Sequence, residues 1–114
     1  MIKLLTAVIR PHRLDAVRDA LVEAGVAGMT VTEVRGVDPG AGHTEVYRGA
    51  EYTVDASHDI RIDLVVDLFE AERLADVIVA TARTGEPGDG KLWITDVERV
   101  VRIRTGERGV DALG

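Results

Sequence analysis

Cysteine is absent from this 114-residue chain, proline occurs three times, and the aromatics amount to one Trp, two Tyr and one Phe. Without cysteine there are no disulfides and no thiolate chemistry, and nothing points to an oxidising compartment. With so few aromatics, packing rests on valine, isoleucine, leucine and alanine, which suit thin layers of sheet and helix. Long hydrophobic runs are lacking too. The apolar start, Met1 to Ile9, is interrupted by Lys3 and closed by Arg10, too short for a signal h-region with its cleavage site or for a bilayer span. A cytoplasmic location is the expectation. Positive charge is also short: the formal net charge of -6 denies the chain the positive field that nucleic acid requires. Any anion site must be local. The length fits one domain, burying roughly two thirds of the surface its unfolded chain exposes.

What the chain does have is a long, unusual connection. Between strand-like runs at Met29 to Val37 and Ile60 to Val66, the segment Gly42-His43-Thr44-Glu45-Val46-Tyr47-Arg48-Gly49-Ala50-Glu51-Tyr52 shows neither helical nor strand periodicity. Compact domains rarely keep loops longer than about 12 to 15 residues unless they serve a purpose. Two tyrosines and an arginine among glycine and glutamate read as a recognition arm presented to a partner.

Around this arm the elements alternate. Ile2 to Ile9 reads as a buried strand, and Pro11 suits a first helical position. Leu14, Val17, Leu21 and Ala24 then share one helical face before Gly25 stops the helix. Gly28 to Val37, rich in threonine and valine, reads as a second strand. Ile60, Ile62, Leu64 and Val66 alternate with Arg61 and Asp63 in a third. Asp67 with Glu70 resembles a capping box, and Leu74, Val77, Ile78 and Thr81 make the stripe of the helix it opens. After the breaker-rich residues 84–90, Lys91 to Val97 and Arg99 to Arg104 supply a last strand and a short extra one. The order β-α-β-β-α-β predicts an α+β, ferredoxin-like sandwich with both helices on one face of an antiparallel sheet. Both alternating sets of Ile2 to Ile9 are apolar, so the opposite face also needs a cover, and a homo-oligomer is the simplest.

Chemistry concentrates near the C-terminus. Gly85-Glu86-Pro87-Gly88-Asp89-Gly90-Lys91 superficially fits a P-loop. However, Leu92 stands where Ser or Thr should hold magnesium, and the segment joins a helix to a strand. Glycine backbone can still approach a phosphate closely, with Lys91 adding a point charge; the alternative is a solvated turn. Arg102 and Arg104, two apart on an expected strand, would project from one face and need an anion or a carboxylate to neutralise them. Were that strand near the glycine loop, Lys91, Arg102 and Arg104 would converge on a polyphosphate; otherwise they are charges protecting a sheet edge. His12, His43 and His58 are scattered without metal-ligand spacing, and no catalytic constellation is visible.

The segments Gly28-Met29-Thr30-Val31-Thr32-Glu33-Val34, the arm at 42–52, Gly88-Asp89-Gly90-Lys91 and Val101-Arg102-Ile103-Arg104-Thr105-Gly106-Glu107 together resemble the PII nitrogen-regulatory signal-transduction proteins. The likeness spans nearly the whole chain with motif order kept. It implies a single PII-type domain over 1–114 that assembles as a homotrimer, with ATP or ADP, and magnesium accompanying ATP, in the clefts between neighbours. By this resemblance Thr30, Asp38, Val65, Gly88, Asp89, Gly90, Lys91, Arg102 and Arg104 stand at nucleotide-binding positions. The arm, about 37–55, matches the T-loop that reports the bound effector to a target protein. The glycine loop covers about 84–91 and the C-terminal strand and loop about 99–114. Tyr52 falls at the tyrosine modified in some members. Arg48, with Tyr47 beside it, falls at the arginine that can plug an ammonium channel, so a membrane would be met only through a membrane-protein partner, or the target would be a regulatory enzyme.

The chain also departs from that pattern. Family members carry Arg-Gln-Lys-Gly-His-Thr where this chain has Pro39-Gly40-Ala41-Gly42-His43-Thr44, so Gly40 replaces the glutamine that helps ligate magnesium and 2-oxoglutarate. Asp59 replaces a lysine that pairs with a 2-oxoglutarate carboxylate, and Glu86-Pro87 replaces basic and aliphatic residues. The expectation is a non-enzymatic nucleotide sensor whose 2-oxoglutarate response is weakened or lost. The rivals are a relative diverted to another small anion or transporter, a slow nucleotide hydrolase on the same fold, and a purely structural trimer.

Overall fold

The computed structural model describes the backbone of residues 1–37, 43–47, 50–54 and 56–114, and side chains over 1–37 and 57–114. Strand β1 (Ile2–Ile9) leads through a 3-10 turn (Pro11–Arg13) into helix α1 (Leu14–Glu23), and β2 (Thr30–Val37) follows. The arm contributes β3 (His43–Tyr47) and β4 (Ala50–Val54). Then come β5 (Ala56–Asp67), α2 (Leu68–Ala82), β6 (Lys91–Val97) and a second 3-10 turn (Gly109–Ala112).

The main sheet runs β2-β5-β1-β6, and every neighbouring pair is antiparallel. Two helices and a four-stranded antiparallel sheet in this order make the ferredoxin-like α+β fold expected from the sequence. On the helix side Leu5, Ala7 and Ile9 of β1 and Ile60, Ile62 and Leu64 of β5 meet Val17 and Leu21 of α1 and Leu74 and Ile78 of α2, all buried. The period-2 face of the strands and the 3.6-period stripe of the helices thus close one core.

The helix ends follow local chemistry. Gly25, with φ of 100°, closes α1; its N–H donates to Val22 O at 3.0 Å and Val26 N–H donates to Leu21 O at 3.0 Å. This paired reversal satisfies the last carbonyls and suits a glycine, which has no Cβ to clash. Asp67 caps α2 by accepting from the Phe69 N–H at 3.0 Å. Glu70 does not complete the expected capping box: its carboxylate binds Arg73 at 2.5 Å instead. The buried stripe of α2 is Ala71, Leu74, Ala75, Ile78 and Ala82, so Val77 and Thr81 sit at its margin.

Pro11 takes the first position of the 3-10 turn that runs into α1, where its missing N–H costs nothing. Two expectations need correction. The arm is not without regular structure, because β3 and β4 pair from His43↔Val54 to Tyr47↔Ala50 as a two-stranded sheet of their own. Thr, Val and Tyr on either side of Arg48-Gly49 are the signal that was there to read, since β-formers flanking a two-residue, glycine-containing link favour a hairpin. Finally, Arg99 to Arg104 is not a strand: Val101 bridges Arg108, and the chain turns between them. Arg102 N–H donates to Glu107 O at 2.8 Å and Gly106 N–H to Arg102 O at 2.7 Å, which closes the turn locally.

The sheet face away from the helices mixes polar and apolar groups. Thr6, fully buried, donates to Asp63 Oδ1 at 2.7 Å, and Arg61 Nε reaches Asp63 Oδ2 at 3.0 Å. Around them Trp93 and Val65 are each 42% exposed.

Candidate functional site: two half-sites at opposite ends of the sheet

The first half-site is the loop between α2 and β6. Gly85, Gly88 and Gly90 have φ of 86°, 93° and 96°, values that side chains rarely adopt. Gly90 is pressed against β1, where an added Cβ would lie 1.8 Å from the Val8 carbonyl oxygen. The Asp89 carboxylate turns into the loop. Its Oδ2 accepts from the N–H groups of Thr84 and Gly85, each at 2.9 Å; its Oδ1 accepts from the Thr84 hydroxyl and from Arg10 Nε, the latter at 3.1 Å. The Thr84 hydroxyl and N–H, together with Gly85 N–H and Arg10, hold this carboxylate well below the usual range against the opposing effect of burial. Lys91 begins β6 opposite Val8 with its side chain exposed. A shallow cleft of about 180 Å³ adjoins the loop, apolar through Ile78, Val79 and Leu92 and edged by Asp89, Gly90 and Lys91.

The second half-site lies at the other end of β1 and β6. A broad depression of about 910 Å³ is bordered by Gly28, Met29 and Thr30, by Asp63 and Val65 of β5, and by the C-terminal residues Leu113 and Gly114. Thr30 is exposed and pairs with Asp63. Arg102 adjoins the same C-terminal residues: its Nη2 donates to the carbonyls of Asp111, Leu113 and Gly114 at 3.4, 3.3 and 2.8 Å. Its Nε lies 3.8 Å from Glu107. Arg104 sits at the exposed turn. Arg102 and Arg104 therefore do not share a strand face as the sequence suggested, because the turn separates them.

Lys91 pairs with Val8 and Val97 with Ile2, so Arg102 follows the far end of the strand that Lys91 begins, about 20 Å along it at 3.3 Å per residue. Within one chain Gly88, Asp89, Gly90 and Lys91 form one group and Thr30, Val65 and Arg102 another; the two do not converge. Asp38 and Arg48 lie outside the described residues, as do Pro39, Gly40 and Gly42. Tyr47 and Tyr52 fall on β3 and β4, where only the backbone is described; Tyr52 pairs with Glu45 and Tyr47 with Ala50. Asp59, at the root of the arm, accepts from the Ser57 hydroxyl at 3.0 Å.

Sequence reasoning missed Arg10, Thr84 and the Thr6–Asp63–Arg61 cluster. Arg10 carried only the signal of a cation before a proline, and it lies 79 residues from the aspartate it binds. Among the described residues no group of His, Cys, Asp or Glu is arranged to hold a metal, and no helix is long and apolar enough to cross a membrane.

The class is that of ferredoxin-like α+β domains, with the β3–β4 hairpin inserted between β2 and β5 and a glycine-lysine loop ahead of β6. The chain belongs to the nitrogen regulatory protein P-II family, whose sequence profile matches residues 2–107. It is 51% identical over 111 residues to the nitrogen regulatory protein P-II of Nostoc punctiforme, covering 97% of this chain and 99% of the relative. It is 52% identical, over the same shares, to nitrogen regulatory protein P-II 1 of Escherichia coli K12. The crystal structure of Arabidopsis thaliana PII bound to citrate superposes with a TM-score of 0.80 at 34% identity, covering 98% of this chain and 89% of that one. These relatives are named as regulators, not as enzymes.

Proposed function

We infer that this protein is a non-enzymatic, cytoplasmic, trimeric sensor that binds ATP or ADP between neighbouring subunits and reports the result through its arm to a target protein. The observation that carries this reading is the separation of the half-sites. The glycine loop with Lys91 and the depression with Thr30, Val65 and Arg102 sit at opposite ends of the chain's own sheet, so each needs a second copy to complete it. Assembly about a symmetry axis supplies that copy, and it covers Trp93 and Val65 on the open face. In the completed site the loop backbone and Lys91 hold phosphates, joined by Arg102 and Arg104 of the neighbour. Arg102 then exchanges its C-terminal carbonyls for phosphate oxygens. Asp38 contributes from the start of the arm, Tyr47 and Arg48 meet the target, and Tyr52 is its position of covalent modification.

Asp59 favours a weakened or lost 2-oxoglutarate response. A unit charge pair at 4 Å is worth about 4 kcal/mol at an effective dielectric of 20, so a carboxylate in place of a lysine reverses an attraction of that order. The citrate in the Arabidopsis relative keeps a second reading in view, in which another small anion takes that place. Calorimetric titration with ATP, ADP and AMP, each with and without 2-oxoglutarate and magnesium, tests the function. Micromolar ATP or ADP binding is expected; no binding of any adenine nucleotide overturns it.

A further inference from the structure

We propose that Arg10 is a positioning residue for the phosphate-binding loop: it neutralises Asp89 and fixes the Pro87–Gly88 peptide so that the Gly88 amide is free for the ligand. This deepens the nucleotide-binding reading above and rests on it.

Asp89 stands in the middle of the loop, where a bare carboxylate would repel phosphate. Its acceptor positions are filled by Thr84, Gly85 and Arg10, so its side chain is bound within the loop and shapes it. The hydrogen bond from Arg10 Nε, at 3.1 Å, is also an ion pair between partly buried side chains. The same guanidinium donates through Nη2 to the Pro87 carbonyl. A trans peptide is planar, with its C=O and N–H pointing in opposite directions. Holding Pro87 O on Arg10 therefore turns the Gly88 N–H away from it. Among the described residues, no backbone carbonyl accepts from the N–H of Gly88, which leaves this donor for an anion, as in other backbone nests.

Position 88 carries the mark of this arrangement. A Cβ there would lie 3.1 Å from Arg10 Nη2, so the guanidinium packs directly beneath the glycine whose amide it orients. Lysine could supply the charge at position 10 but not the planar fork that reaches both Asp89 and Pro87.

The test uses the full chain with Arg10→Gln, Arg10→Lys and the double variant Arg10→Gln with Asp89→Asn. Affinities for ATP and for adenosine are measured by calorimetry, and the Asp89 carboxyl is titrated by carbon NMR without ligand. Arg10→Gln should weaken ATP binding at least about tenfold, the scale of a lost charge-assisted hydrogen bond, with little change for adenosine. The Asp89 midpoint should rise in the same variant. Arg10→Lys should fall between, and the double variant should regain part of the ATP affinity because the uncompensated charge has gone. Undiminished ATP binding by Arg10→Gln overturns the positioning role while leaving the nucleotide function intact. Equal losses for ATP and adenosine, or no recovery in the double variant, overturn it as well, since Arg10 then touches the ligand or merely supports the fold. If the natural chain binds no ATP, the functional reading fails and takes this role with it.

Discussion

Gly90 lies so close to Val8 that a side-chain carbon at position 90 would stand 1.8 Å from the Val8 carbonyl oxygen. The glycine loop is thereby seated on the backbone of β1, which fixes where Lys91 begins its strand. Gly85 has a comparable positive φ, yet a Cβ there meets nothing within 4 Å. Gly85→Ala should cost about 1 kcal/mol, the usual penalty for a side chain in that backbone region. Gly90→Ala should cost at least about 2 to 3 kcal/mol, because strain and backbone overlap combine. Urea midpoints at one fixed protein concentration check the order; equal midpoints would show that the loop is not seated on β1.

Acid should weaken the fold through two carboxylates. Burial raises the Asp63 pKa, but hydrogen bonds from Arg61 and Thr6 and the Arg61 charge outweigh it, and the net shift is downward. Asp89 is lowered by Thr84, Gly85 and Arg10. A folded pKa below the unfolded value of about 3.9 gives stability that is fully present above that value and is lost as pH falls through the folded pKa. Between about pH 5 and 7 their contribution is therefore complete and constant, so any change of stability with pH in that range owes nothing to them, and the loss should begin near pH 4. Asp63→Asn should flatten the acid limb of a urea-midpoint profile. Thr6→Val, nearly isosteric in a fully buried position, should shrink it by removing one donor. Unchanged profiles in both variants would contradict the assignment.

Separated half-sites predict complementation between chains. Lys91→Ala and Arg102→Ala should each weaken ATP binding by about 1.5 to 3 kcal/mol, the range for hydrogen bonds to charged groups. Unfolded together and refolded as a mixture, the two variants should regain natural affinity at about one quarter of the sites, since random trimers pair an intact loop with an intact neighbour at that frequency. Calorimetry of the mixture reads this directly. No recovery, or a monomer in sedimentation at micromolar concentration, would place the site within one chain.

The 2-oxoglutarate response should be missing for reasons confined to two positions. If the proposed function holds, Gly40 offers no side-chain oxygen for a metal, and Asp59 puts a negative charge where a dicarboxylate would need a positive one. With magnesium and ATP present, 2-oxoglutarate at physiological concentration should neither bind measurably nor alter ATP affinity. The double change Gly40→Gln with Asp59→Lys should restore binding. Tight magnesium-dependent binding by the natural chain would mean that other residues supply the ligand and the charge.

The elements that span the core were legible because their signals are local. The two apolar sets of Ile2 to Ile9, the alternation of Ile60 to Val66 and the stop at Gly25 each follow from the period or the backbone freedom of a few neighbouring residues. Family membership was legible for the same reason, since short motifs in fixed order carry it. What depended on partners across the chain was not. β5 begins at Ala56, ahead of the alternating stretch, because Val37 and Gly36 of β2 pair with Ala56 and Ser57, and local periodicity carries no record of such pairing. Arg102 and Arg104 looked like one strand face, but the Val101↔Arg108 bridge folds them into a turn. Element order determined the α+β class, and motif order determined the family. Only the tertiary structure decided that Arg10 would meet Asp89 and that Lys91 and Arg102 would stand at opposite ends of β6, because hydrogen bonds and strand register act between residues that the sequence holds far apart.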